Sequence, residues 1–179
     1  GEKLYKLASI VALPNERSIY KSLVSQWQDP ERVVLNVKEP SLHIDDPSIW
    51  SSDKSFESKM LLLDQLTYLP DDILTKVDRA AMAVSLETRV PMLDHNVVEF
   101  ASSLPLSLKI HEGESKWLLR EVLYQYVPKS MIDRPKMGFG VPIDSWLRGP
   151  LKDWAHDLLT GEQIKHERYF DYQLIGKLW

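Results

Sequence analysis

The stretch LLLDQLTYLPDDILTKVDRAAMAVSLETRVPMLDHNVVEFASSLP, residues 61–105, decides the fold class, because its apolar residues recur at helical spacing. Pro70 and the two aspartates after it are typical of a first helical turn. Proline costs no hydrogen bond there, and acidic side chains favour the positive end of the helix dipole. Helical spacing then predicts a buried stripe made of Ile73, Val77, Ala80, Ala81 and Val84. The stretch therefore predicts three helices, separated near Pro70 and Pro91 and ended before Pro105.

The same helical periodicity runs through most of the chain on both sides of this stretch. Asn15 and Asp171 are placed to cap helices, and Ser115 is placed to open another. Residues 31–37 form the one stretch typical of a short strand. Residues 38–54 are rich in proline, serine and aspartate, which predicts a loop or linker. We therefore predict a mainly α architecture.

The composition excludes several classes of protein. With 44% hydrophobic residues among 179, the chain is a globular protein rather than a disordered one. The absence of cysteine excludes disulfides, thiolate nucleophiles and cysteine-type zinc sites, and suits a cytoplasmic protein. A net charge of −4 argues against nucleic-acid binding, and the apolar runs are too short to predict a membrane span. Because the chain begins with Gly1 and ends on an apolar stretch, we expect it to be an excised segment.

Most of the candidate chemical groups have a plain structural explanation. The five histidines never fall at metal-binding spacing, so we predict no metal site. Asp71 and Asp72 are adjacent on a helix and favour helix-start electrostatics over an acid pair. Glu87 and Arg89 fit a structural ion pair better than a substrate clamp. The chain contains neither a Gly-x-x-x-x-Gly-Lys-Ser/Thr loop nor a Gly-x-Gly-x-x-Gly loop, the two glycine-rich motifs that bind phosphate groups of nucleotides.

One region stands out by its charge. Residues 115–140 contain five cations and two anions, so they carry +3 while the remainder carries −7. Arg134, Lys136, Gly138 and Gly140 share one short loop within this region. Glycines let a backbone approach a ligand closely, and the cations can neutralise phosphate or an oxyanion. Taken alone, the pattern favours a solvated surface loop over such a site.

Three motifs together resemble one known family. LPDDILTKVDR (residues 69–79), SLETRVPMLDH (85–95) and RPKMGFGVP (134–142) occur in the order found in the synthetase domain of glutamine-hydrolysing asparagine synthetases. The resemblance covers about half the chain, roughly residues 60–151. It implies that residues 55–179 are the helical carboxyl-terminal part of an α/β, adenine nucleotide α-hydrolase-like synthetase domain. The sheet core would be absent, and residues 1–54 would form a helical lead-in and linker.

The resemblance also implies roles for individual residues. Lys136 matches the family's lysine that reaches the polyphosphate and the acyl-adenylate transition state. Arg134 and the following segment match the loop that orders over bound substrates, so the implied substrate or phosphate loop comprises Arg134, Gly138, Phe139 and Gly140. Lys76, Asp78 and Arg79 lie in a strongly matching helix, and could either line the site or brace it.

For the parent enzyme, the resemblance implies an ATP- and Mg²⁺-dependent ligase. It would adenylate aspartate, release pyrophosphate, and let ammonia displace AMP to form asparagine. The implied partners are an upstream nucleotide-binding core, a glutaminase domain of the same chain, aspartate and ammonia, with a homodimer left open. We expect neither a nucleic-acid nor a membrane partner.

The family's phosphate loop and acidic metal loop are absent from these 179 residues, so we expect this segment alone to be inactive and to bind no cofactor tightly. The alternatives are an amidotransferase that acts on a sugar acid or on a lactam- or lasso-type substrate, and a non-catalytic helical interaction module.

Overall fold

A computed structural model describes residues 10–134 and 141–179 of the chain. These residues group into two compact units. The first unit combines residues 10–53 with residues 141–179, and the second comprises residues 54–134. Four of the predicted loop residues lie outside the described residues, namely Lys136, Gly138, Phe139 and Gly140.

Helices dominate the described residues, and the predicted α class is confirmed. In chain order the helices are α1 Glu16–Val24, α2 Pro47–Trp50, α3 Phe56–Leu66, α4 Thr75–Met82, α5 His95–Ser103, α6 Leu106–Lys109, α7 Trp117–Tyr124, α8 Lys129–Ile132, α9 Ile143–Arg148, α10 Lys152–Thr160, α11 Glu162–Glu167 and α12 Tyr172–Leu178. Short 3₁₀ turns occupy Pro30–Arg32, His43–Asp45 and Pro91–Leu93, and a π-helix occupies Leu69–Leu74. Two strands, β1 Ile110–His111 and β2 Glu114–Ser115, form a hairpin.

The first unit is held together by residues far apart in sequence. The Asn15 side chain accepts a hydrogen bond from the Ser18 amide and caps α1, as predicted. Backbone bonds join residues 33–35 to residues 169–171, with Leu35 N donating to Tyr169 O at 2.8 Å and Asp171 N donating to Val33 O at 2.8 Å. These bonds secure the start of α12, whose predicted cap is confirmed because the Asp171 carboxylate accepts from two amides.

The second unit contains the segment that decides the fold class. Helix α3 leads to the π-helix, which starts near Pro70 and continues directly into α4. The Thr75 hydroxyl donates to the Pro70 carbonyl at 2.9 Å, so this carbonyl has a partner despite the irregular turn. The β1–β2 hairpin turns at Glu112 and Gly113, whose φ angles are 49° and 81°. Two positive φ values match the favoured two-residue hairpin turn.

Three local predictions are wrong or need revision. Residues 31–37 form no strand, because a 3₁₀ turn starts at Pro30 and Val34 makes an isolated bridge to Phe170. The predicted linker, residues 38–54, contains a 3₁₀ turn and α2. The helix predicted to open at Ser115 begins at Trp117, because Ser115 pairs with Ile110 in the hairpin.

The predicted buried stripe on α4 is not buried. Val77 is 38% exposed and Val84 is 74% exposed. Helix α4 ends at Met82, and Ser85 adopts a positive φ of 58°, so the predicted stripe outlasts the helix. No other part of the described residues packs over these apolar side chains enough to bury them. Helical periodicity predicts which side chains share a face, but their burial also requires a second element that packs against that face. Within the described residues, no helix is long and apolar enough to cross a membrane.

Candidate functional site

One carboxylate in the second unit collects several polar partners. Asp133 Oδ1 accepts a hydrogen bond from Arg120 Nη1 at 2.8 Å and another from the Tyr124 hydroxyl at 2.8 Å. Lys129 Nζ lies 3.7 Å from Asp133 Oδ2 and 5.3 Å from the centre of the Tyr124 ring. We call these four residues the Asp133 cluster. Two cations and a hydroxyl thus surround one carboxylate immediately before Arg134.

Helical spacing explains how the cluster forms. Arg120 and Tyr124 are four residues apart on α7 and therefore share one face of that helix. Lys129 and Asp133 have the same spacing on α8, where Asp133 is the residue that ends the helix. The Asp133 amide donates to the Lys129 carbonyl at 2.9 Å, so the backbone of α8 also holds this carboxylate in place.

The electrostatics of the cluster favour a charged guanidinium. The hydrogen bond to the Tyr124 hydroxyl and the negative charge of Asp133 raise the pKa of Arg120. The side chains of Arg120 and Asp133 are 26% and 31% exposed, so solvent only partly screens their ion pair. Arg120 Nε also donates to the Ser115 carbonyl at 3.2 Å, which connects the cluster to β2. The arrangement therefore ties α7, α8 and the hairpin together.

The cluster lies at the start of the predicted substrate loop. Arg134 follows Asp133 directly, is exposed, and donates its backbone N–H to the Ile132 carbonyl at 2.9 Å. The structure thus places Arg134 beside the end of α8. The predicted roles of the remaining loop residues stay predictions, because Lys136, Gly138, Phe139 and Gly140 fall outside the described residues.

The other predicted site residues lie on α4. Lys76 pairs with Asp72 one turn earlier, at 3.1 Å between Nζ and Oδ1, and both side chains are well exposed. Asp78 and Arg79 are exposed on the same helix. In the part of the chain that the structure describes, no hydrogen bond or ion pair joins these three residues to the Asp133 cluster. The question whether they line a site or brace it stays open.

Two pairs of charged residues, Asp71 with Asp72 and Glu87 with Arg89, were expected to have structural roles, and their members do form local contacts. Asp72 contacts Lys76, and Asp71 donates its amide to the Thr67 carbonyl at 2.9 Å in the preceding turn. Arg89 contacts Glu87 in an exposed ion pair. These contacts stabilise local structure, so we assign these residues no chemical role.

A cavity of about 600 Å³ lies in the first unit, away from the predicted site residues in sequence. Its lining is mostly apolar and includes Trp27, Val33, Phe170 and Trp179. Gln163 and Glu167 supply polar groups there, and the Gln163 amide donates to the Glu167 carboxylate at 2.7 Å. None of the described site residues predicted from the sequence lines this cavity, so we do not assign the predicted chemistry to it.

Comparison with known proteins decides the family. The family model for asparagine synthase matches residues 1–179, which is the whole chain. The chain belongs to the asparagine synthase family. The match therefore includes residues 1–54, where the motifs were less distinctive than in the remainder.

Curated members of the asparagine synthase family resemble the chain closely. Asparagine synthetase [glutamine-hydrolyzing] 1 of Bacillus subtilis (strain 168) is 40% identical over 124 residues, covering 69% of this chain and 20% of that protein. A putative asparagine synthetase [glutamine-hydrolyzing] of Mycobacterium bovis is 44% identical over 110 residues, covering 61% of this chain and 17% of that protein. The chain thus spans about a fifth of the length of these relatives. No solved structure matches it.

More distant relatives carry a different name. The amidase chry2 of Gibberella zeae is 28% identical over 114 residues, covering 60% of this chain and 17% of that protein. The match is weaker than those to the bacterial synthetases. The relatives of this chain therefore carry more than one kind of name.

The sequence motifs of the asparagine synthase family did not reveal the Asp133 cluster. Arg120 and Asp133 are among the five cations and two anions of residues 115–140, and no motif includes Tyr124. Two signals were present: the four-residue spacing of Arg120 and Tyr124, and an acidic residue directly before the RPKMGFGVP motif. What the spacing could not predict is that α8 places Asp133 beside α7.

Proposed function

We propose that this chain is the helical carboxyl-terminal part of an ATP-dependent, glutamine-hydrolysing asparagine synthase. In the parent enzyme, the aspartate β-carboxylate attacks the α-phosphorus of ATP and pyrophosphate leaves. Ammonia then attacks the acyl carbon and AMP leaves, so that asparagine forms. The observation that carries this proposal is the 40–44% identity to glutamine-hydrolysing asparagine synthetases, together with the family match along the whole chain.

Lys136 is the residue to which we assign chemistry. A lysine ammonium is a compact charge that can neutralise pyrophosphate as it leaves, or the oxyanion that forms when ammonia attacks the acyl carbon. Its neighbours support an anionic ligand, because Arg134 is an exposed cation two residues before it. The Asp133 carboxylate is already engaged with Arg120, Tyr124 and Lys129, so its negative charge is partly neutralised before the loop begins.

The described residues do not provide a magnesium site. Among residues 10–134 and 141–179, no three histidine, aspartate or glutamate side chains are grouped so that they could hold a metal ion. We therefore assign no magnesium ligand to these residues. ATP and Mg²⁺ remain part of the proposal for the parent enzyme, with the nucleotide-binding core and the glutaminase domain as its partners.

The first experiment measures the reaction of the full-length parent. The enzyme is incubated with ATP, Mg²⁺ and ammonia, with and without aspartate, and AMP, pyrophosphate and asparagine are quantified. Aspartate-dependent release of AMP and pyrophosphate, with asparagine as product, supports the proposal. If no AMP appears with aspartate, the proposed reaction is wrong.

The second experiment tests Lys136 in the same enzyme. Lys136→Ala should lower the synthetase rate by at least about a hundredfold, on the scale of losing one oxyanion donor, while glutaminase activity survives. Lys152→Ala is the matched control, because Lys152 is an exposed lysine at the start of α10 and its substitution removes the same charge. A near-normal synthetase rate in Lys136→Ala would remove this residue from the mechanism.

A second candidate function is amide formation on another carboxylate. It is favoured by the similarity to the amidase chry2, at 28% identity, and to the amidase chyE of Penicillium rubens, at 31% identity over 101 residues. In this case AMP release would depend on a different acid, and aspartate would be inert. Screening sugar acids and peptide carboxylates in the same assay separates the two functions. If no carboxylate supports AMP release, the non-catalytic interaction module is the remaining alternative.

A further inference from the structure

The cavity of the first unit has the size and the lining of a small-molecule site. Its volume of about 600 Å³ falls within the range of roughly 300–1,000 Å³ that is usual for ligand pockets. Among its lining residues, Val33 and Ile164 are buried, whereas Trp27, Leu158 and Trp179 are between 42% and 51% exposed. Large apolar side chains that stay this accessible around a cavity are typical of a ligand-binding surface.

Backbone hydrogen bonds hold two walls of the cavity together. Val33 and Val34 belong to one wall, and Phe170 belongs to the other. The Asp171 amide donates to the Val33 carbonyl at 2.8 Å, and Val34 forms an isolated bridge with Phe170. Because main-chain bonds join the two walls, a ligand that enters the cavity need not order them, which lowers the cost of binding.

The polar groups of the cavity lie together on α11. Gln163 and Glu167 are four residues apart and share one face of this helix. Among the described residues, the Glu167 carboxylate accepts one hydrogen bond, from the Gln163 side-chain amide at 2.7 Å. A carboxylate can accept about four such bonds, and the side-chain carbonyl of Gln163 is a further acceptor. This end of the cavity therefore suits a ligand that donates hydrogen bonds.

The charge of the cavity favours a cation. Glu167 is the one charged side chain among the described lining residues. Lys165 of the same helix does not line the cavity, and its ammonium pairs with Glu162. Arg168, which follows Glu167, does not line it either. Glu167 also ends α11, where the helix dipole disfavours a negative charge, so the stability of the helix does not explain this carboxylate.

We propose that this cavity binds a small organic cation, namely an amine with an aromatic body. The body packs against Trp27, Leu158 and Trp179, and the ammonium donates hydrogen bonds to Glu167 and Gln163. ATP and aspartate are anions, to which the cavity presents a like charge. The ligand is therefore a molecule other than these substrates, and the inference does not rest on the proposed function.

The first test compares three probes that share one body and differ in charge: 4-phenylbutylamine, 4-phenylbutanol and 4-phenylbutyrate. Each is titrated into the full-length parent, and its affinity is measured by ligand-observed NMR. We expect the amine to bind about fivefold more tightly than the alcohol, since an ion pair with an exposed carboxylate contributes only modestly. The butyrate should bind most weakly, because its charge has the same sign as that of Glu167. Equal affinities of the three probes, or no binding of the amine at millimolar concentration, overturn the proposal.

The second test removes the charge of the cavity. Glu167→Gln should abolish the preference for the amine over the alcohol while the alcohol still binds, because the amide keeps an acceptor and loses the charge. Glu162→Gln is the matched control, since it makes the same change on the same helix outside the cavity. If Glu167→Gln keeps the preference, or if both variants lose it equally, the amine does not bind at this carboxylate and the proposal is wrong.

The third test locates the aromatic body of the probe. Trp27→Ala should weaken the binding of all three probes by roughly tenfold, because it removes a large aromatic contact. Trp154→Ala is the control, since Trp154 is an exposed tryptophan of α10 that does not line the cavity. Circular dichroism shows whether each variant is folded, and the comparison of the three probes in the wild type needs no variant. Unchanged binding in Trp27→Ala, or the same loss in Trp154→Ala, places the probes elsewhere and overturns the assignment of the cavity.

Discussion

Leu63 on α3 offers the sharpest test of the packing, because its side chain is completely buried. Replacing a buried leucine by alanine removes the transfer free energy of the lost atoms and leaves a cavity, and such changes cost about 3–5 kcal/mol. Leu61 lies two residues earlier on the same helix but is 38% exposed. Its truncation should cost about 1 kcal/mol, since part of the side chain already contacts solvent and no closed cavity results.

The assay is urea denaturation of wild type, Leu63→Ala and Leu61→Ala, followed by circular dichroism. We expect the transition that reports the second unit to lose about 3 kcal/mol in Leu63→Ala, which corresponds for a unit of this size to a melting temperature lower by roughly 12–24 °C. The two substitutions remove the same atoms from the same helix, so helix propensity cancels between them. Equal losses of free energy of unfolding in the two variants would refute the packing of α3 that the structure gives.

Two further predictions concern the first unit. Asn15→Ala should lower the free energy of unfolding by about 1 kcal/mol, because the side chain caps α1 at Ser18 N, and urea denaturation showing no loss would contradict the cap. The Leu42 amide and the Arg17 guanidinium, both donating to Asp45, lower the pKa of this carboxyl below its ordinary value of 3.8. The stability that Asp45 contributes is therefore present above pH 3.8 and is lost as pH falls through the lowered pKa. Thermal denaturation between pH 7 and pH 2 should show Asp45→Asn less stable than wild type at pH 7, with a gap that closes in acid, and a gap independent of pH would contradict this ionic contribution.

The helix starts at Asn15 and Asp171 were predictable from the sequence because caps are local, whereas the start predicted at Ser115 was wrong because this residue pairs across the hairpin. Asn15 and Asp171 each accept a hydrogen bond from an amide two or three residues later, so the residue type and its immediate neighbours suffice. Pro70 gave a comparable local signal for the turn after α3. Such elements depend on chemistry within one helical turn, which is what a sequence displays directly.

Burial and long-range pairing were not predictable in the same way. The periodicity of Val77 and Val84 indicated a buried face, but the structure leaves both residues exposed. The bond between Arg120 and Asp133 spans 13 residues and requires α8 to return to α7. Nothing in the residue pattern specifies that approach, since it depends on the turn at residues 125–128 and on the hairpin before α7.

The motifs that carry the family resemblance and the residues that the chain itself buries are largely different sets. In the SLETRVPMLDH motif, Leu86, Val90 and Met92 are exposed apolar residues. The packing within the described residues therefore does not account for their apolar character, whereas contact with the proposed nucleotide-binding core would. The Asp133 cluster differs in this respect, because all four of its residues find their partners within the second unit. The Asp133 cluster should thus form in this chain without the core, whereas the exposed apolar residues of the motif should become buried only when the proposed core is present.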